Sequence, residues 1–157
     1  MEHAMETTSL DRAAEFVEFF ADGWRIGATQ PERFFAHFGG RLTAAAVMIQ
    51  PLSRVFRGPQ GLRALFGPLF GVMPDLRGEV VRWGATEDGV LIELALRGTL
   101  RGRPVEWTTV DRIILREGVI AERRSYFDPL PLLRALLSRP RAAVTLLPML
   151  LGRKETR

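Results

Sequence analysis

The chain has 157 residues, 46% of them hydrophobic and 25% charged, which suits one well-buried domain and is short for two. With no cysteine, disulfides and thiolate chemistry are excluded, and with only His3 and His37 no histidine-rich metal site is expected. The net charge of +4 is uneven: residues 1–128 carry 16 arginines against 17 acids, net −1, whereas residues 129–157 carry six basic residues against one acid, net +5, so the body of the chain lacks the basic footprint of a nucleic-acid binder.

The first 25 residues are acidic and amphipathic, without the basic start, apolar middle and small-residue cleavage site of a secretory signal, and no run reaches 18 apolar residues. A cytoplasmic protein is expected. Residues 1–7 read as a frayed end, and Thr8 with Asp11 has capping-box spacing. Ala13, Phe16, Val17, Phe20 and Trp24 then recur on one helical face, closed near Gly27. Thr29 with Glu32 opens a second, short helix that turns Phe34, Phe35 and Phe38 inward and stops at Gly39-Gly40.

Leu42 to Gln50 reads as a strand ending at Pro51, with an alanine triplet that also suits a helix. After a turn around Arg57-Gly58-Pro59, the spacing of Leu62, Leu65, Phe66, Leu69 and Phe70 gives a third helix, which Pro68 is expected to kink or shorten. From Glu79 the period becomes two. Glu79 to Thr86, Val90 to Arg101, Val105 to Arg116 and Val119 to Phe127 read as four strands, divided by Glu87-Asp88-Gly89, Gly102 and Glu117-Gly118. Helices first and an antiparallel meander last predict an α+β domain, with the helices packed on one face of a curved sheet.

The strand from Val105 to Arg116 carries the chemical clue. Its alternation puts Trp107, Thr109, Asp111, Ile113 and Leu115 on one face, so Asp111 lies on an apolar surface, where an ionised carboxylate is costly unless it is paired, hydrogen-bonded or protonated. Two readings stand: a pocket acid, or an acid neutralised by an arginine or hydrogen-bonded to Thr109 or Gln50. Arg123 and Ser125 share a strand face that suits a cavity mouth, while the Arg123-Arg124 pair equally suits solvent or a dimer interface. Asp128 reads as a cap or turn residue before Pro129, and His37 as a boundary histidine. Trp24, Trp83 and Trp107 read as core before they read as an aromatic wall. The leucine-rich, basic segment 129–157, cut by Pro131, Pro140 and Pro148, reads as short helical pieces that cover something. A lid over the pocket or a dimer clasp ranks ahead of an anchor on anionic lipid.

The order helix, helix, strand, helix and four strands resembles the SnoaL-like part of the nuclear-transport-factor-2-like superfamily, over about residues 9–130. The resemblance rests on Phe56-x-Gly58-x-x-Gly61-Leu62, Glu117-Gly118-x-Ile120 and Tyr126-Phe127-Asp128. It implies a cone-shaped α+β barrel at residues 1–128, an apolar pocket between helices and concave sheet face, and a homodimer formed through the outer sheet face. The superfamily's epoxide hydrolases use an Arg, an Asp and a second Asp at positions matching Ile92, Leu94 and Ser125, so that water-activating set is lacking. Its ketosteroid isomerases place a base where Gln50 precedes Pro51 and a tyrosine at Phe20 or Ala21, which this chain also replaces. Their proton-donating Asp does match Asp111, and that enzyme is a standard case of a carboxylic acid kept neutral at pH 7. The resemblance therefore implies a pocket for a small, apolar, carbonyl-bearing molecule, cofactor-free and metal-free, with Asp111 as acid or base. Gln50, Trp107, Thr109, Phe20, Trp24, Ile92, Leu94 and Ser125 are the expected lining. The other implied outcome is a ligand-binding protein of the same fold that performs no chemistry.

Overall fold

A computed structural model of the chain describes residues 2–138, 140, 141 and 144–146, with side chains from Ser9 onward. Three helices precede the main meander: α1 (Glu2–Ile26), α2 (Pro31–Gly39) and α3 (Gly58–Val72). The strands are β1 (Leu42–Ile49), β2 (Phe56–Arg57), β3 (Arg77–Thr86), β4 (Gly89–Leu100), β5 (Arg103–Arg116) and β6 (Val119–Tyr126), and α4 (Leu130–Leu137) follows. The strands form one curved, unclosed mixed sheet in the order β2-β1-β6-β5-β4-β3, with β1 parallel to β6 and every other pair antiparallel. This is the expected α+β class, with helices on the concave face and a helix after the last strand.

The apolar stripes land as the periodicities predict. Ala13, Phe16, Val17, Phe20 and Trp24 of α1 are buried, as are Phe34, Phe35 and Phe38 of α2 and Leu62, Leu65, Phe66, Leu69 and Phe70 of α3. Phe34 centres an aromatic cluster, its ring 4.8 Å from Phe38, 4.9 Å from Phe70 and 5.2 Å from Trp24. Tilted and edge-on pairs of this kind hold the three helices together and thereby fix where α3 hangs over the sheet.

Several boundaries differ from expectation. Helix α1 begins at Glu2, six residues before the expected cap at Thr8. Helix α2 begins at Pro31, whose missing N–H suits a first helical position, and Thr29 instead donates back to the Ile26 carbonyl at 2.8 Å within a 3-10 turn. Pro68 does not end α3, which runs four residues beyond it. Trp83, read as core, is 38% exposed because it sits on β3, the edge strand. The two-residue strand β2 gave no periodic signal.

Gly27 has φ +53°, and a Cβ there would lie 2.3 Å from the Leu76 carbonyl oxygen, which accepts the Ala28 N–H at 2.7 Å. Only glycine lets the end of α1 dock so closely on the chain leading into β3. The turns Arg101-Gly102 and Glu117-Gly118 have positive φ at both central residues, the geometry that matches the right-handed twist of a two-residue hairpin. They start the β4–β5 and β5–β6 registers at Leu100 opposite Arg103 and Arg116 opposite Val119.

Candidate active site

The β5–β6 ladder does not keep the register its hairpin starts. Leu115 faces Ile120, but Ile114 faces Glu122, so Ala121 is an extra residue on β6. Such a bulge reverses the parity of the strand beyond it. Ile120 is buried before the bulge, and Arg123 and Ser125 are buried after it, although they are an odd number of residues away. The bulge therefore aims an arginine and a serine at the concave face, with Ser125 directly opposite Asp111 and Arg123 opposite Ile113.

Asp111 is fully buried, and three donors converge on it. Arg123 Nε donates to Oδ2 at 2.7 Å, Thr109 Oγ1 donates to Oδ1 at 3.1 Å, and Ser125 Oγ donates to Oδ1 as well. Asp111 is the acceptor in all three bonds. Of the two readings open in the sequence, the geometry is that of a carboxylate neutralised by an arginine and bonded to Thr109; Gln50 makes no bond to it.

The guanidinium is itself only partly satisfied. Arg123 is 8% exposed, its carbon Cζ lies 5.3 Å over the Phe66 ring, and Nη1 is buried without a hydrogen-bond partner among the described residues. A buried donor on a charged group left unpaired costs about 1–3 kcal/mol or more, so this nitrogen is a place where an acceptor gains.

Two small cavities meet at Arg123 and Phe66. The first, about 40 Å³, lies between α3, the sheet, the β1–β2 loop and α4. Gln50, Trp107, Thr109, Arg123 and Ser125 line it from the loop and sheet, and Leu132, Leu133 and Leu136 of α4 close it. The second, about 20 Å³, is bounded by Phe20, Trp24, Phe34, Met48, Phe66 and Arg123. The structure thus brings Gln50, Trp107, Thr109 and Ser125 to one cavity and Phe20 and Trp24 to the other. Ile92 and Leu94 reach neither wall: both are fully buried in β4, opposite Asp111 and Thr109. Asp111 lies behind Thr109, Arg123 and Ser125 and also lines neither. Arg123 is the residue that alternation alone left undecided, because its inward direction depends on the bulge.

The remaining candidates take structural places. Asp128 Oδ1 accepts the Leu130 N–H at 3.0 Å at the start of α4. His37 is half-buried, stacked 4.2 Å from the Phe19 ring, with Nε2 2.7 Å from the Phe19 carbonyl oxygen. Among the described residues no three His, Asp or Glu side chains converge to hold a metal ion, and no helix is long and apolar enough to cross a membrane. Residues 147–157, which hold the basic end of the expected lid or clasp, lie outside the described residues.

Comparison with known proteins agrees with this architecture. The family model of the SnoaL-like domain matches residues 2–123. Among solved structures, a candidate SnoaL-like polyketide cyclase from Jannaschia sp. CCS1 superposes with a TM-score of 0.70 at 21% identity, covering 83% of this chain and 94% of that one. An LEH-like epoxide hydrolase of M. tuberculosis gives 0.63 at 22% identity, covering 85% and 96%. PrhC from Penicillium brasilianum gives 0.71 at 13% identity, covering 86% and 95%. At these identities the likeness establishes the fold. A search of the curated proteins gave no match.

Proposed function

Because the chain belongs to the SnoaL-like domain family, we propose that its first cavity receives a small, largely apolar, carbonyl-bearing molecule. One observation carries this reading: an apolar chamber of leucines, Phe66 and Trp107 carries a few polar groups, Gln50 from the β1–β2 loop and Thr109, Arg123 and Ser125 from the sheet. Pockets that hold small molecules pair apolar walls with a few convergent polar groups in this way. The candidate cyclase and the epoxide hydrolase among the structural neighbours support a role with small organic molecules.

The present volume bears on how a ligand gets in. A cavity of about 40 Å³ holds roughly three waters at 10–15 Å³ each, well short of the ~300 Å³ of a ligand pocket. Residues 129–138 supply one wall through Leu132, Leu133 and Leu136, so α4 is the lid of this reading and swings out to admit the ligand. Asp111 holds Arg123 and is not itself in contact with the ligand.

A second reading adds chemistry, and one observation favours it. Thr109 and Ser125 line the cavity while donating to Asp111, so Ser125 can pass its proton to the carboxylate as it takes one from the ligand's α-carbon. On the outer sheet face, Leu91, Val110 and Tyr126 are exposed, and we propose that face as the homodimer surface.

Titration with 2-acetylnaphthalene, read by tryptophan fluorescence, tests binding. Saturable quenching that is lost when Leu69→Trp fills the chamber supports the reading, and identical titrations of the two proteins refute it. The same ketone in deuterated buffer separates the two readings: exchange of its methyl protons that stops in Ser125→Ala supports the proton relay, and exchange at the buffer rate leaves binding as the function.

A further inference from the structure

We propose that Nη1 of Arg123 is the anchor for a neutral carbonyl oxygen, with Asp111 as the residue that positions the guanidinium. This inference rests on the ligand reading above and narrows its chemistry. Thr109 and Ser125 have already committed their hydroxyl protons to Asp111, so they present only lone pairs to the cavity. Arg123 Nη1 keeps its protons, is itself buried and has no acceptor among the described residues. Arg123 also lines both cavities, so a ligand in either meets it.

The preference for a neutral oxygen follows from the charge already present. Arg123 and Asp111 form a pair of no net charge, with Nε and Oδ2 2.7 Å apart. A ligand carboxylate on the same guanidinium would face the Asp111 carboxylate from a few ångströms away, against walls of leucine and phenylalanine that solvate neither. A ketone or enone oxygen accepts from Nη1 without adding a charge. Asp111 makes that donation directional, because its bond to Nε fixes the plane in which the guanidinium fork points.

Three probes of one shape separate the possibilities on the full chain: 2-acetylnaphthalene, the hydrocarbon 2-isopropenylnaphthalene, and 2-naphthoate. The ketone is expected to bind roughly tenfold tighter than the hydrocarbon, the worth of one hydrogen bond, and naphthoate weakest. The Arg123 side-chain N–H resonances should move with the ketone and stay with the hydrocarbon. Arg123→Lys should erase the ketone's advantage over the hydrocarbon. Asp111→Asn should reduce that advantage while sparing the hydrocarbon, which loss of packing alone would not do. If either variant fails to fold, the neutral pair Asp111→Asn with Arg123→Gln serves, with the same expected loss. Equal affinity for ketone and hydrocarbon, or tightest binding of naphthoate, overturns the inference alone. Failure of all three probes to bind overturns the ligand reading and this inference with it.

Discussion

Replacing Asp111 by asparagine keeps the side chain's size and removes its charge, so the cost reads the ion pair with little cavity contribution. The carboxylate is fully buried and accepts from Arg123 at 2.7 Å, from Thr109 at 3.1 Å and from Ser125. Asparagine offers one acceptor oxygen and sets an NH₂ against a donor, and it leaves the Arg123 guanidinium buried without a counter-charge. Breaking a buried pair from one side costs about 3–5 kcal/mol. At about 2–4 °C per kcal/mol for a domain of this size, Tm should fall by roughly 6–20 °C. Against a total stability of about 5–15 kcal/mol, the variant should still fold in the cold. Urea unfolding should show a lower midpoint at unchanged slope. Replacing both partners at once, Asp111→Leu with Arg123→Met, removes both charges and should recover most of the loss. A single-variant loss below about 0.5 kcal/mol, the scale of an exposed pair, would refute the buried-pair account.

Burial pushes the Asp75 carboxyl up, but hydrogen bonds from Thr99, whose backbone N–H donates at 2.8 Å, and the Arg77 charge more than offset this and hold it below its usual range. Its contribution is therefore complete above the unfolded value of about 3.9 and fades as pH falls through the lower folded value. Asp75→Asn should lower stability at pH 7 by about 0.5 kcal/mol or less, because solvent screens this exposed carboxylate, and the gap from wild type should close in acid melts. Leu136→Ala removes a buried anchor of α4, so it should speed 2-acetylnaphthalene association in stopped-flow fluorescence; an unchanged rate would argue against α4 as the lid. Val110→Glu places a charge on the outer sheet face and should turn a sedimenting dimer into a folded monomer, whereas a wild-type monomer at micromolar concentration would remove the dimer proposal.

Much of the fold is legible because single elements carry it. The heptad-like stripe of α1, the phenylalanines of α2 and the strict alternation of β5 each bury the side chains that periodicity selects. Glu117-Gly118 was readable as a hairpin because that turn demands positive φ. The site was half legible. Asp111 stands out as an acid among Trp107, Ile113 and Leu115, yet its partner does not, because the extra residue at Ala121 flips every later side chain of β6. Nothing about alanine marks a bulge, so the Arg123-Arg124 pair read equally well as outward, in solvent or at a dimer interface, while Ser125 was an expected lining residue. Helix α2's start was misread for a related reason: Thr29 and Glu32 have capping-box spacing, but Pro31 between them takes the first helical position, and Thr29 closes the preceding turn instead. Trp83 is apolar enough for the core, and only its place on the edge strand leaves it partly in solvent.

Whether the chamber beneath α4 takes a ligand can be read from leucine-methyl NMR during titration with 2-acetylnaphthalene. Saturable shifts are expected at Leu65, Leu69, Leu96, Leu132, Leu133 and Leu136, which ring the chamber, with still signals from Leu91 on the outer face. Shifts confined to the outer face, or none at the chamber leucines at saturating ketone, would contradict it.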